Sequence, residues 1–376
     1  MKNEIRIAII AGVRSHYIKT ASLQRMIKKH LERLQLKYNS KLFFYYINAG
    51  QHYDDCLTQY INELDVRFDY SIQYENKNAI EIMSSMFIKL HNCLFELNKN
   101  WPIDYVMVFG DVNSTMVGAI VAEKLHIPLI HIESGVRLFD RTGPEEANRI
   151  VADHLSNICF YSSVDDEINL IREGLGDRSF FSGDINCDLV LDVKKECRKR
   201  PIKYIFDKET KLFDFEKYIV ASMHREENLS HDQLYCMFNA LNAQPYPVLF
   251  PIHPRVKKII NSLSYDSNKI VIADHIPYYE MINALTYCDF IVTDSGSLQR
   301  EGCYLGKHCV VRQEKAYWPT FVNIGLNLTV GCSTKDILFG IEWAIENKDK
   351  EVNAVDFFGS GHAVERILQH ILSISD

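Results

Sequence analysis

The sequence predicts an α/β fold made of two Rossmann-like domains facing across a cleft. Three observations predict it. Short apolar runs alternate with helix-like segments along the whole chain, which is the pattern of parallel strands covered by helices on both faces. Several of these runs stop at small or acidic residues, as Tyr105–Phe109 does at Gly110-Asp111 and Pro128–Ile132 does at Glu133-Ser134-Gly135. Finally, 376 residues, 47% hydrophobic and 24% charged, suffice for two domains with cores of their own.

Ile5–Ala11 reads as a first buried strand, too short and too soon broken for a signal segment or a membrane span. It ends in Gly12-Val13-Arg14, and a basic helix follows from about Ile18 to Leu34, as at the start of a nucleotide-binding unit. Neither a full Gly-x-Gly-x-x-Gly nor a Walker lysine pattern is present, which argues against a dinucleotide or P-loop site. Arg14 and Lys19 stand where a phosphate or carboxylate would meet the first crevice, or are surface charges at a helix start. Leu42–Asn48 is a second strand, ending in Ala49-Gly50-Gln51-His52, with His52 a candidate for substrate binding.

Helical patterns fill most of Asp54–Leu64 and Ala79–Asn98. Tyr105–Phe109, Pro128–Ile132 and Ile158–Tyr161 continue the strands, with a helix over Ser114–Leu125 and another opened by Pro144-Glu145-Glu146. Ser179–Gly183 adds an edge strand. The charged, proline-containing run Lys194–Lys203 suits an exposed hinge. A second alternation follows, with strands at Tyr218–Ser222, Pro247–Pro251, Ile270–Ile272, Phe290–Thr293 and His308–Val311. Gly361–Ile374 reads as an amphipathic helix packing back on the first domain. The expected domains are residues 1–190, 204–355 and the returning helix at 356–376. Two similar halves without detectable repetition point to the GT-B type of architecture.

The net charge of −7 leaves no basic surplus to neutralise nucleic-acid phosphates. Ten cysteines without a Cys-x-x-Cys pair read as buried, reduced thiols of a cytoplasmic protein. Metal binding is not expected, because the candidate carboxylates are separated by loops and no His-x-x-x-His cluster occurs.

In an open parallel sheet, ligands bind beyond the carboxyl ends of the strands. Asp111, Glu133 and Glu145 are therefore candidates to share one cleft, where acid–base chemistry is the natural use of carboxylates. His224-Arg225 follows a strand directly and can titrate near neutral pH. His253-Pro254-Arg255 follows the next strand, with His253 either a ligand or a packing residue. Thr293–Gly302 begins as Thr-Asp-Ser-Gly-Ser and passes at once into a helix, so its free N–H groups at Ser295, Gly296 and Ser297 suit a diphosphate. A plain helix cap by Ser295 or Ser297 is compatible with that reading. Glu301, about one turn in, is placed to accept from a ribose diol.

Taken in order, Gly110-Asp111, the run His131–Arg137, Pro144–Arg149, His224-Arg225 and Thr293–Gly302 resemble the motifs of the UDP-N-acetylglucosamine 2-epimerases, most closely the non-hydrolysing bacterial branch. The likeness runs from Gly12-Val13-Arg14 to the loop around Arg312 and Trp318-Pro319. It implies a UDP-sugar substrate, no redox cofactor and interconversion of UDP-GlcNAc with UDP-ManNAc. The route would be elimination of UDP to a 2-acetamidoglucal and re-addition with a proton on the opposite face. It makes Asp111, Glu133, Glu145 and His224 the catalytic set. Arg14, Lys19, His52, Arg137, Arg149, His253, Arg255, Ser295, Gly296, Ser297, Glu301 and Arg312 would bind substrate. It also implies a homodimer and a role in surface-polysaccharide precursor synthesis.

The chain departs from the family at Ser15-His16, at Val112-Asn113 after Asp111, in the shorter loop before Pro144, and at Gln313–Tyr317. These changes touch the uridine end and the sugar's acyl groups. Alternatives are therefore a hydrolysing 2-epimerase releasing ManNAc, an epimerase of a UDP-diacetamido-uronic acid, a GT-B glycosyltransferase, or an inactive UDP-sugar sensor. A glycosyltransferase would need an acceptor, and fold alone does not choose. The four retained catalytic candidates oppose the sensor reading.

Overall fold

The structure, a computed structural model, describes residues 4–50, 61–74, 78–141, 143–225, 228–252, 254–260, 263, 265–313 and 318–374. The chain divides into two compact units, Met1–Leu189 with Phe357–Asp376, and Val190–Asp356.

In the first unit, β1 (Glu4–Ala11), β2 (Lys41–Asn48), β3 (Tyr70–Ser71), β4 (Tyr105–Phe109), β5 (Leu129–Ile132), β6 (Ile158–Tyr161) and β7 (Ser179–Phe181) form one sheet. Its order is β3-β2-β1-β4-β5-β6-β7, with every neighbouring pair parallel. The helices are α1 (Arg14–Tyr38), α2 (Ala79–Asn100), α3 (Asn113–Lys124), α4 (Pro144–Leu155) and α5 (Val164–Arg172), and α6 (Ile185–Lys194) carries the chain into the second unit. Successive side chains of a strand point to opposite faces, so a strand buried on both sides must be apolar throughout. In β1, Ile5, Ile7 and Ile9 pack with Leu23 and Met26 of α1, while Ala8 and Ile10 pack with Met86 and Leu90 of α2 and Val117 of α3.

The second unit comprises Val190–Asp356. That unit opens with an antiparallel hairpin of β8 (Ile202–Phe206) and β9 (Glu209–Phe213). Its main sheet contains β10 (Ile219–Ser222), β11 (Val248–Pro251), β12 (Ile270–Ala273), β13 (Ile291–Thr293), β14 (Cys309–Arg312) and β15 (Asn327–Val330). The order is β12-β11-β10-β13-β14-β15, again all parallel. Its helices are α7 (His231–Ala243), α8 (Pro254–Ile260), α9 (Tyr278–Tyr287), α10 (Gly296–Tyr304), α11 (Pro319–Asn323) and α12 (Thr334–Asn347).

The chain then returns to the first unit as α13 (Ala363–Ser373), whose Ile367, Leu368 and Ile371 join the β1 core. Two contacts fix the return. Asp188 accepts hydrogen bonds from Ala363 N at 2.9 Å and Val364 N at 2.8 Å, so a carboxyl meets the start of the helix. Gly183 has φ 86°, and a Cβ there would lie 2.4 Å from Phe358 O, which no larger residue allows.

The structure extends or corrects several sequence expectations. The first helix begins at Arg14 and not near Ile18, because its polar first turns are buried against the sheet. The edge strand predicted over Ser179–Gly183 stops at Phe181. The hairpin β8–β9 and strand β15 were not foreseen. Among the described residues, no helix is long and apolar enough to cross a membrane.

Candidate active site

Both sheets reverse their strand order at the first strand, between β1 and β4 and between β10 and β13. Crevices at such reversals, at the carboxyl ends of the strands, are where open α/β sheets bind ligands. The polar side chains of each unit gather there.

In the first unit, β4 ends at Gly110, whose φ of 56° is left-handed, and β5 ends at Glu133, whose φ is 71°. A non-glycine residue in that region is uncommon and costs strain. The backbone holds it: Glu133 N and Ser134 N both donate to Phe160 O, at 3.1 and 3.0 Å. The result aims the Glu133 carboxylate at Lys19, with which it forms a buried ion pair. A Cβ added at Gly110 would stand 3.2 Å from Lys19 Nζ, 3.7 Å from His16 Nε2 and 3.9 Å from Glu133 Oε2, so these groups surround the turn.

Asp111 is held from α4. Arg149 Nη2 donates to Asp111 Oδ2 at 2.5 Å, and Arg149 Nη1 donates to Glu146 Oε2 at 2.9 Å. Asn148 Nδ2 donates to the Asp111 carbonyl at 2.9 Å. Burial disfavours the Arg149 cation, but Asp111 and Glu146 outweigh it and hold its pKa above the ordinary value. Glu145, one residue before Glu146, is exposed on the first turn of α4. The structure therefore brings Asp111 to Arg149 and Glu133 to Lys19, while Glu145 lies in neither pair.

His16 was not foreseen as a site residue. It is buried in the first turn of α1, edge-on to Phe109 with ring centroids 5.8 Å apart. Burial first, and then Lys19, lower its pKa to about 3. The ring is neutral, and since Nδ1 accepts from Gly12 N at 3.3 Å, its proton sits on Nε2, toward the Gly110 turn. Arg14, at the start of the same helix, is exposed.

In the second unit the centre is Asp294, fully buried at the end of β13. It accepts from His224 Nδ1 at 2.9 Å, His224 N at 3.1 Å, Arg225 N at 3.1 Å and Asn228 Nδ2 at 2.8 Å. Burial would push its carboxyl up; the His224 bond and charge, with Asn228 and backbone amides, hold it below the ordinary value instead. A carboxylate only accepts, so His224 Nδ1 donates and its Nε2 is left to act from a half-exposed ring. Ser295 caps α10 by accepting from Leu298 N at 3.3 Å. The amides of Gly296 and Ser297 open the helix, where no preceding turn supplies an acceptor. Trp318 Nε1, buried and without a hydrogen-bond partner among the described residues, lies 4.0 Å from where a Gly296 Cβ would be. Glu301 is buried one turn into α10.

Two further candidates for substrate binding have internal partners. Arg137 is buried and spends its guanidinium on Glu173, at 2.7 Å twice, and on Asp153 at 2.8 Å. Arg312, on the interior of β14, is 1% exposed and donates to Gln233. Arg312 Nε has no hydrogen-bond partner among the described residues. His52 and His253, and the side chain of Arg255, lie outside the described residues.

Residues 34–372 match the family model described as UDP-N-acetylglucosamine 2-epimerase. A Methanococcus maripaludis protein named UDP-N-acetylglucosamine 2-epimerase homolog is 32% identical over 347 residues, covering 90% of this chain and 92% of its own. The UDP-2,3-diacetamido-2,3-dideoxy-D-glucuronate 2-epimerase of Pseudomonas aeruginosa is 28% identical over 380 residues, 98% of this chain and 100% of its own. The crystal structure of Methanocaldococcus jannaschii UDP-GlcNAc 2-epimerase in complex with UDP-GlcNAc and UDP aligns with a TM-score of 0.81 at 27% identity, covering 98% of this chain and 100% of that one. With two Rossmann-like units of the GT-B type and a family match over nearly its whole length, the chain belongs to the UDP-N-acetylglucosamine 2-epimerase family of isomerases.

Proposed function

We propose that the protein interconverts UDP-GlcNAc and UDP-ManNAc without releasing the free sugar, supplying a precursor for surface polysaccharide. The observation that carries the reading is that Asp111 and Glu133, at neighbouring strand ends, are each paired with a cation, Arg149 and Lys19. The cations hold the two carboxylates in place, and an ionised carboxylate is a group that can take a proton.

Carbon 2 of the sugar is a poor acid until charge develops at carbon 1. As the bond from carbon 1 to the UDP oxygen breaks, UDP leaves with the electron pair and a carboxylate takes the carbon 2 proton, giving 2-acetamidoglucal. Re-addition of UDP at carbon 1, with a proton delivered to the other face of carbon 2, inverts that centre. Substrate and product are isomers at one oxidation level, so the step itself needs no electron acceptor. The α10 amides, Ser295 and Trp318 suit the diphosphate, and stabilising the departing UDP is where the largest rate effect belongs. His224, oriented by Asp294, suits proton transfer at that end.

A second reading, action on a UDP-2,3-diacetamido-uronic acid, is favoured by the P. aeruginosa relative, which aligns over its full length. The two are separated by proton NMR in deuterated water with each nucleotide sugar in turn. UDP-ManNAc carrying deuterium at carbon 2 is expected from UDP-GlcNAc. Turnover of the diacetamido-uronate alone would overturn the first reading, and UDP with free ManNAc would move the protein to the hydrolysing branch.

A further inference from the structure

We propose that His131 is held as an imidazolium cation and, through the Gly110 carbonyl, positions the Asp111 turn for the acid–base chemistry. The positioning half of this inference rests on the proposed reaction; the charge state does not.

His131 lies on β5 with no exposed surface. Its Nε2 is 2.8 Å from Gly110 O, and its Nδ1 is 2.6 Å from Asp153 Oδ1. A peptide carbonyl has no proton to give, so Nε2 donates. Asp153 Oδ2 already accepts from Gly135 N at 3.1 Å and is paired with Arg137 at 2.8 Å. An arginine at that distance favours the carboxylate, whose Oδ1 then also accepts. Both ring nitrogens therefore carry hydrogen, and the ring is a cation.

The groups around it agree with that charge. Asp153 faces it from α4 and Arg137 from the loop after β5, with Arg137 turned on to Glu173. From α1 come neutral His16 and Lys19, the latter paired with Glu133. On β6, Cys159 Sγ donates to the Asp153 carbonyl at 3.6 Å. Burial pushes the Cys159 thiol up to about 12, so it adds no charge at neutral pH.

The consequence is mechanical and electrostatic. A charge-assisted bond to Gly110 O is stronger than a neutral one, and it pins the left-handed residue that precedes Asp111. The same Asp153 holds Gly135, two residues after Glu133. One buried pair, His131 and Asp153, thus ties together the two turns that carry the cation-paired carboxylates. His131 is a positioning residue, since it reaches the chemistry through the Gly110 carbonyl.

The deciding measurement is nitrogen NMR of the full chain labelled with 15N-histidine, with His131 assigned by its loss in His131→Gln. Both ring nitrogens are expected to carry protons at neutral pH. A ring nitrogen without a proton at neutral pH overturns the proposal. In Asp153→Asn the carboxylate is removed, and kcat with UDP-GlcNAc is expected to fall roughly 10- to 100-fold while KM stays within about threefold, the mark of misplaced groups and not of lost binding. An unchanged kcat overturns the positioning role. The ring measurement needs no substrate and uses the unmodified protein. Failure to turn over UDP-GlcNAc would therefore sink the substrate reading while His131 is still decided by its own protons.

Discussion

Asp166 sits under the Glu133 turn and shows how one buried carboxyl couples the site to pH. It lies on α5, where its Oδ2 accepts from Ser162 Oγ at 3.1 Å and from Ser163 N at 2.9 Å. Burial pushes its pKa up to about 7; the serine hydrogen bonds oppose the shift and the Glu133 charge adds to it. The folded value thus lies above the unfolded value of 3.8, so the folded state favours the protonated form. That contribution is fully present below the unfolded value and is lost as pH rises through about 7. Asp166→Asn keeps the acceptor oxygen and puts an N–H2 where the proton sat. Its stability relative to the unmodified chain should therefore rise between about pH 4 and about pH 7 and level off above, by roughly 2–4 kcal/mol. Urea unfolding across that pH range checks it, and a pH-independent difference would show that Asp166 stays ionised. At this scale the strand-end positions of Asp111, Glu133 and His224 were legible because each follows an apolar strand closely. His16, Asp153 and Asp166 were not, because nothing local distinguishes a buried polar residue in a helix from an exposed one. The internal partners of Arg137 and Arg312 were equally hidden, since a charged residue near a motif reads only as a ligand candidate.

Elements carry the site because their interior faces are polar where the strands end. On α4, Glu146, Arg149 and Asp153 recur at helical spacing and are buried together with Asn148, so the helix presents an ionic face to the two strand turns. On α10 the first turn matters most. Ser295 is its cap, and removing a serine cap costs about 1 kcal/mol. Ser295→Ala should lower stability by about that amount and weaken UDP binding several-fold, because the first-turn amides lose the geometry that aims them. Calorimetric titration with UDP reads the second effect; unchanged affinity would remove the α10 start from the nucleotide site. The parallel strands with apolar interiors were legible from continuous hydrophobic runs. The hairpin β8–β9 was not, since Lys211 is half-buried while Leu212 is exposed, which breaks the alternation in a segment that otherwise reads as a charged linker. Strand β15, Asn327–Val330, escaped because four residues with a polar start give too little periodicity to separate from a loop.

At the scale of the whole molecule, an apolar surface remains after both cores are built. Along α2, Ile80 is 72% exposed, Ile88 63% and Phe95 44%. Their spacing of eight and seven residues places them on one stripe of the helix, since two turns take about seven residues. The opposite side of α2 is spent on the sheet through Met86, Leu90 and Leu94. Isolated exposed apolar residues are ordinary, but a stripe of them on a helix otherwise anchored in the core favours association. A second copy of this chain is the occupant proposed, because a two-fold contact lets the same stripe serve both partners. The family resemblance that suggested a homodimer could not locate its face, as the sequence periodicity of α2 shows apolar residues on both sides without saying which side the sheet takes. Ile80→Glu with Ile88→Glu puts a carboxylate at two points of the stripe without touching the core residues. Light scattering after size exclusion should then report a monomer where a dimer is expected of the unmodified chain, with the melting temperature of the monomer close to that expected for an intact fold. A variant that remains dimeric would move the interface off α2, and an unmodified chain that is already monomeric would remove the dimer itself.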